Sequence, residues 1–474
     1  MNIKNELKTG VIYNSIGKYS NLLISILVQI VLSRLLTPDE FGIVAIVNVF
    51  LVFFQLLADF GIGPAIIQRK DLEDVEINHI FSFSVYFSVF LTLVFALFAK
   101  PISSFYQNII LIKVVPIMSI SLLFNSLMMV PQNILLKERK FKIVNLTQIS
   151  GSIANGIISM LFAFLGYSYY AIILGNIARA ILQVVIYIFN TNLKFYIKFS
   201  FEPLRKIFVF SRNQLFFNVI NYFSRNLDSI LIGRYMPTDQ LGYYDKAYQL
   251  SLYPNTIFTS VITATIQPVF SSYQNQVDKI KSGYLTIAKV LANFGIPLSV
   301  LLFFSSSEII ILFFGPQWDQ SILVFQILSV SIWIQMLQSS TGAFFQSANR
   351  TDLLLLSGTL STIINIIGIV VGIYLGSIFW VATMLVVTFT LNFFQTNYLL
   401  LNKAFNSSMI DFYKVLIKPI FIGFLEIIAF LALPELNFGI FINLIIKGIL
   451  FVVILLFGML ITKQFTDVVK LLRK

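Results

Sequence analysis

Residues 438–462 read FGIFINLIIKGILFVVILLFGMLIT, an apolar run whose single charge is Lys447. An α-helix rises about 1.5 Å per residue, so about 20 apolar residues cross the hydrocarbon core of a bilayer. This run crosses it with residues to spare. Runs of the same kind recur along the chain, approximately at 15–36, 39–66, 76–99, 108–131, 143–165, 167–190, 206–234, 238–268, 283–305, 319–347, 351–375, 377–402, 413–433 and 438–462. Composition agrees: 57% of the 474 residues are hydrophobic, 11% are charged and Phe alone contributes 49, more apolar surface than a water-soluble domain needs. The runs are continuously apolar rather than alternating, which favours helices over a membrane β-barrel. The first run is too long for a cleavable signal peptide and leads directly into further spans. The sequence therefore predicts an all-α integral membrane protein with about 14 transmembrane helices.

Orientation follows from Lys and Arg, which stay on the cytoplasmic side of short loops. With the N-terminus inside, 21 of the 33 basic residues fall in cytoplasmic segments, whereas the outside ends hold only Arg34, Lys100 and Arg234. Both termini are thus expected in the cytoplasm, and the net charge of +12 is read as topological, with no nucleic-acid partner. The longest polar connections, near 67–78, 191–205 and 270–282, are too short to bury a core of their own. Function must be built from the helices and their ends. Cysteine is absent, which excludes disulfides and thiol chemistry.

Two internal echoes give the organisation. SRLLTPDEFG at 33–42 and GRYMPTDQLG at 233–242 align at an offset of 200, pairing Arg34 with Arg234, Asp39 with Asp239 and Gly42 with Gly242. At an offset of 210, Asn155, Leu165 and Gly166 meet Asn365, Leu375 and Gly376, and Tyr169-Tyr170 meets Phe379-Trp380. Both echoes preserve helix order. They predict two six-helix bundles of parallel orientation, an N-terminal lobe at 1–200 and a C-terminal lobe at 201–403, followed by an extra transmembrane pair and cytoplasmic tail at 404–474. Two facing lobes suit alternating access around a site between them.

The layout, the element Arg34-x-Leu36-x-Pro38-Asp39-Glu40-Phe41-Gly42, the DFGIGPAIIQRK stretch at 59–70 and the FGPQW stretch at 314–318 resemble the polysaccharide exporters of the multidrug/oligosaccharidyl-lipid/polysaccharide superfamily. Within it the chain is most similar to bacterial flippases of O-antigen, capsule, colanic acid or teichuronic acid repeat units. The resemblance implies a non-enzymatic transporter of the bacterial cytoplasmic membrane that moves polyprenyl-diphosphate-linked oligosaccharides for cell-surface polysaccharide synthesis. It also implies membrane lipids and polysaccharide assembly proteins as partners, and coupling to H+ or Na+. Read from local chemistry, the same motifs build the fold. Pro38 suits the first turn of a helix, Asp39 and Glu40 suit its positive N-terminal end, Gly42 permits close packing, and Arg34 snorkels or binds the last carbonyls of its helix.

Charges inside the spans are the candidate functional residues, because an unpaired ion in hydrocarbon is costly and faces a cavity or a partner. Basic residues outnumber acidic ones there, and a cationic cavity suits a lipid diphosphate, since Arg binds phosphate oxygens bidentately and Lys supplies a point charge. The candidate substrate-binding residues are Arg212, Arg225, Lys18, Arg179, Lys246 and Lys289, with Asp59, Asp228 and Glu426 as candidate coupling sites. Structural pairings compete with each role: Arg225 with Asp228 at i, i+3, Lys18 with Asp59, and Lys418 or Lys447 with Glu426. No catalytic residue, cofactor or metal is expected. The only histidine is His79, near a helix start, and no G-x-x-x-x-G-K-[ST] loop is present, which argues against ATP hydrolysis by this chain. Two rivals share parts of this pattern. A multidrug cation antiporter of the same superfamily would favour an acidic cavity, and a polysaccharide polymerase, ligase or acyltransferase would need positioned acid/base or nucleophilic groups.

Overall fold

In the computed structural model, residues 3–69, 71–274, 276–434 and 438–465 are described, and among them the regular structure is entirely helical. The chain divides into two compact units, Met1–Gly242 and Tyr243–Lys474. The first contains α1 (Ile3–Leu35), α2 (Pro38–Asp59), α3 (Ile62–Gln68), α4 (Asp74–Leu97), α5 (Ala99–Tyr106), α6 (Leu111–Leu127), α7 (Met129–Lys137), α8 (Phe141–Phe164), α9 (Tyr170–Phe189) and α10 (Glu202–Tyr235). Helix α11 (Thr238–Phe270) starts at the end of this unit. The second continues with α12 (Val277–Phe304), α13 (Ser306–Phe314), α14 (Asp319–Ser329), α15 (Ile332–Gln338), α16 (Thr341–Ser347), α17 (Thr351–Tyr374), α18 (Ile378–Tyr398), α19 (Met409–Ala432) and α20 (Ile440–Ile461).

Among the described residues, eleven helical spans are long and apolar enough to cross a membrane, and twelve when the bent pair Pro316–Ser329 and Ile332–Ser347 counts as one. The pair turns by 50°. Helices α10 and α11 lie outside this set although they run for 34 and 33 residues. Helix α10 interrupts its apolar character with charge at Arg205, Lys206, Arg212, Arg225, Asp228 and Arg234, whereas α11 carries Asp239, Asp245 and Lys246 near its start and uncharged polar residues and prolines further along, among them Pro254, Asn255, Gln267 and Pro268.

The motif Thr37-Pro38-Asp39-Glu40 starts α2 as its chemistry predicts. Pro38 occupies the first turn, and Thr37 and Glu40 form a capping box in which the Thr37 N–H donates to Glu40 Oε2 at 2.6 Å. The α2 and α11 starts meet through their echoed glycines. A Cβ on Gly42 would lie 2.0 Å from the Thr238 carbonyl oxygen, and one on Gly242 would lie 2.0 Å from the Pro38 carbonyl oxygen. The contact is reciprocal: each glycine faces a backbone carbonyl at the other helix start. Without a hydrophobic drive between helices in lipid, such close backbone approach is a principal source of association.

The offset of 210 is equally visible in the backbone. Helices α8 and α17 both run for 24 residues. Each follows a left-handed residue, Arg139 at φ 58° and Asn349 at φ 55°, and each leads into a left-handed glycine, Gly166 at φ 80° and Gly376 at φ 77°. Each is also clasped to the next helix by an amide pair: Asn155 donates to Asn176 at 2.9 Å, and Asn392 donates to Asn365 at 2.9 Å.

Candidate functional site

Helix α2 carries Asn48, Gln55 and Asp59 at spacings of seven and four, which places them on one face. Helix α9 carries Asn176, Arg179 and Gln183 at spacings of three and four, again one face. In the N-terminal unit these two stripes line a cavity of about 640 Å³, together with Asn125 near the end of α6 and Gln132 and Asn133 on α7. The α2 stripe ends where the DFGIG turn redirects the chain. Phe60 and Gly61 both take left-handed φ, at 45° and 69°, and a Cβ on Gly61 would lie 2.9 Å from the Ser211 carbonyl oxygen of α10. The turn stops α2 at Asp59, whose Oδ1 accepts from the Gly63 N–H at 3.4 Å.

Arg179 and Asp59 are thus the two charged candidates that the fold brings into one cavity. Among the described residues neither forms an ion pair, and the expected Lys18–Asp59 pairing is not made. Lys18 is exposed on α1, beside the Gly17 contact with Asn145 of α8. Arg212 and Arg225 are exposed on α10. Asp228 is 3% exposed and its Oδ1 accepts the Ser229 N–H at 2.8 Å. None of these four residues lines the cavity.

In the C-terminal unit the candidates separate. Lys246 is 2% exposed and lies over the rings of Phe314 and Trp318, 5.3 and 5.5 Å from their centroids. The FGPQW stretch therefore forms an aromatic seat for this ammonium. Gly315, at φ 103°, turns the chain between the two rings. Lys289 lines a cleft of about 400 Å³ with Asp278, Lys281, Ser282, Thr286 and Asp411, where Lys281 pairs with Asp411 at 2.7 Å. Glu426 is fully buried on α19, and among the described residues neither carboxylate oxygen has a hydrogen-bond partner. Its expected cations are engaged elsewhere. Lys418 donates to the Thr462 carbonyl at 2.9 Å, and Lys447 donates to Glu308 and, at 2.7 Å, to the Phe304 carbonyl. A second cavity in this unit, about 560 Å³, is lined almost wholly by apolar residues, including Ile296, Phe303 and Phe304 of α12 and Ile420, Gly423 and Phe424 of α19.

A search for full charges finds Asp59 and Arg179 but passes over the amides that make up most of the polar wall. Their signal was present: Asn48 with Gln55, and Asn176 with Gln183, recur at seven-residue spacing within apolar spans, where a neutral amide also needs a partner.

This helical architecture has parallels among known proteins. A profile of the family described as "Polysaccharide biosynthesis protein" matches residues 31–323. The chain is 24% identical to the teichuronic acid biosynthesis protein TuaB of Bacillus subtilis (strain 168) over 90% of this chain and 89% of that one. In fold it is similar to the lipid II flippase MurJ in an inward closed conformation, with a TM-score of 0.77 at 14% identity, covering 95% and 98% of the two chains. An inward-facing MATE family multidrug resistance transporter of the MOP superfamily gives 0.66 at 16% identity, covering 89% and 100%. The profile match takes in more than half of the chain, including the cavity-lining faces of α2 and α9, and this multi-pass membrane protein belongs to the polysaccharide biosynthesis protein family.

Proposed function

We propose that the protein is a flippase that moves polyprenyl-diphosphate-linked oligosaccharide repeat units across the bacterial cytoplasmic membrane by alternating access. The observation that carries this reading is Arg179, a guanidinium in an amide-lined intramembrane cavity with no carboxylate paired to it among the described residues. An arginine inside a membrane span needs an anion or ordered donors and acceptors around it, and a diphosphate matches its planar fork. The apolar cavity on α12 and α19 suits the hydrocarbon chain of the same substrate. Arg212, Arg225, Lys18, Lys246 and Lys289 complete the proposed cationic path. Asp59, Asp228 and Glu426 are proposed coupling sites for H+ or Na+.

In this reading α10 and α11 also span the bilayer, which brings the count to fourteen, with their charges turned to a polar interior. The lobes at 1–200 and 201–403 exchange access, the pair within 404–474 accompanies the lipid chain, and both termini lie in the cytoplasm. The substrate is relocated without chemical change, so no catalytic group is required.

The test is export of a fluorescent polyprenyl-diphosphate saccharide in proteoliposomes. Arg179→Gln removes a charge-assisted interaction of about 2 kcal/mol and is expected to slow transport roughly thirtyfold with normal insertion. Arg179→Lys restores part of the rate because the charge returns without the fork. Full transport by Arg179→Gln would reject the assignment. Efflux of a cationic dye in place of lipid-linked saccharide would favour the multidrug antiporter, and a chemically altered saccharide would favour the polymerase or ligase.

A further inference from the structure

We infer that the cavity of the N-terminal unit is a saccharide-reading site, in which side-chain amides bind the sugar hydroxyls and Arg179 holds the adjoining anionic group. The inference rests on the flippase reading and names what that cavity selects. Asn48, Gln55, Asn125, Gln132 and Gln183 all line the cavity, and none hydrogen-bonds through its side chain to another described residue. Two other amides of the wall show what structural use looks like. Asn176 accepts from Asn155 at 2.9 Å, and Asn133 donates to the Met129 carbonyl of its own helix at 2.8 Å. The remaining five keep their donors and acceptors for whatever occupies the cavity.

The chemistry of those groups selects the occupant. A carboxamide presents an acceptor and two donors side by side, and a sugar hydroxyl is both donor and acceptor. Two neighbouring hydroxyls can therefore engage one amide. A phosphate only accepts, so it uses the amide N–H groups and leaves the carbonyls unpaired. A wall of amides around one arginine is over-provided with acceptors for a diphosphate alone, and it matches a polyol attached to one. The volume of about 640 Å³ is within the range of pockets that enclose small organic ligands.

The experiment uses the full chain in nanodiscs and calorimetry with farnesyl diphosphate, with farnesyl diphosphate linked to N-acetylglucosamine, glucose or galactose, and with the free sugars. The expected result is that at least one linked sugar binds more tightly than bare farnesyl diphosphate. Asn48→Ala/Gln55→Ala should cut that gain by about tenfold, the scale of two neutral hydrogen bonds, while bare farnesyl diphosphate binds within twofold of the unmodified chain. Arg179→Gln should weaken linked and bare diphosphates by the same factor. Thermal melting of each variant separates lost binding from lost folding, and Gln132→Ala on α7 provides an independent amide if the α2 pair melts early. Equal weakening of sugar-bearing and bare ligands by the amide variants, or no gain from any sugar, would overturn the inference. Binding of a free sugar without binding of farnesyl diphosphate would instead overturn the lipid-diphosphate reading and leave the saccharide site standing.

Discussion

Replacing Gly42 by alanine tests how closely the two echoed helix starts are packed. The new Cβ would lie 2.0 Å from the Thr238 carbonyl oxygen and 2.9 Å from Thr238 Cγ2, whereas ordinary contact begins at 3.4 Å. The nearest atom belongs to backbone, so no rotamer change relieves it. The helix starts must part by more than 1 Å, and overpacking of this kind costs about 1–3 kcal/mol. In a unit spanning Met1–Gly242 that corresponds to a melting shift of about 2–10 °C. Gly242→Ala meets the Pro38 carbonyl at 2.0 Å and should cost a similar amount. Since one separation relieves both clashes, the double variant should cost little more than the larger single, a coupling that a double-mutant cycle reads directly. Melting of the purified chain followed by intrinsic fluorescence supplies all four corners. A single alanine variant that melts with the unmodified chain, or a double variant whose loss is the sum of the two, would refute the reciprocal contact.

Two further outcomes are expected. Because the chain contains no cysteine, Glu138→Cys and Lys198→Cys should be protected from an impermeant external maleimide while Ser104→Cys reacts; the reverse pattern in intact cells would invert the proposed topology. Glu308→Gln or Lys447→Ala breaks the half-buried pair that ties α13 to α20 and should destabilise the C-terminal unit by about 3–5 kcal/mol in a chemical melt, whereas Glu308→Gln/Lys447→Met should recover most of the loss.

Helix starts were legible because their chemistry is local. Thr37, Pro38 and Glu40 encode the cap of α2 within four residues, and the left-handed glycines Gly166 and Gly376 close α8 and α17 at the echoed positions. Helix interruptions were less legible. The run at 319–347 becomes α14, α15 and α16, and around the breaks Ser329, Ser331, Ser339 and Ser340 turn their hydroxyls back to carbonyls three or four residues earlier. Serine offers the backbone that alternative locally, but hydropathy averages over it. The partner of Lys447 was illegible for a different reason: Glu308 lies 139 positions away, on a short helix whose place depends on tertiary packing. The candidate cavity fell between these cases. Its charges were found as charges, while its amides needed the fold to bring α2, α6, α7 and α9 onto one wall.

The echo at an offset of 210 separates what the fold needs from what the cavity adds. At the offset of 210 that relates α8 to α17, Asn176, Arg179 and Gln183 of α9 correspond to Val386, Phe389 and Phe393 of α18. The same helix positions therefore carry an amide and arginine face in one half and an apolar face in the other. Phe393 is 2% exposed and packs on Trp333 and Phe412, with centroids 5.4 and 5.7 Å away. An apolar face at these positions is compatible with the helix hairpin and fills its interior, so the polar face of α9 is not demanded by folding. Polar groups that the hairpin can do without, held in a membrane span at an energetic disadvantage, are what the proposed polar occupant of the N-terminal cavity would require. The second repeat has turned the same surface into core, and the apolar cavity of its unit lies instead along α12 and α19. The two echoed halves thus present one polar cavity and one apolar cavity, and the proposed amphiphilic substrate combines those two chemistries.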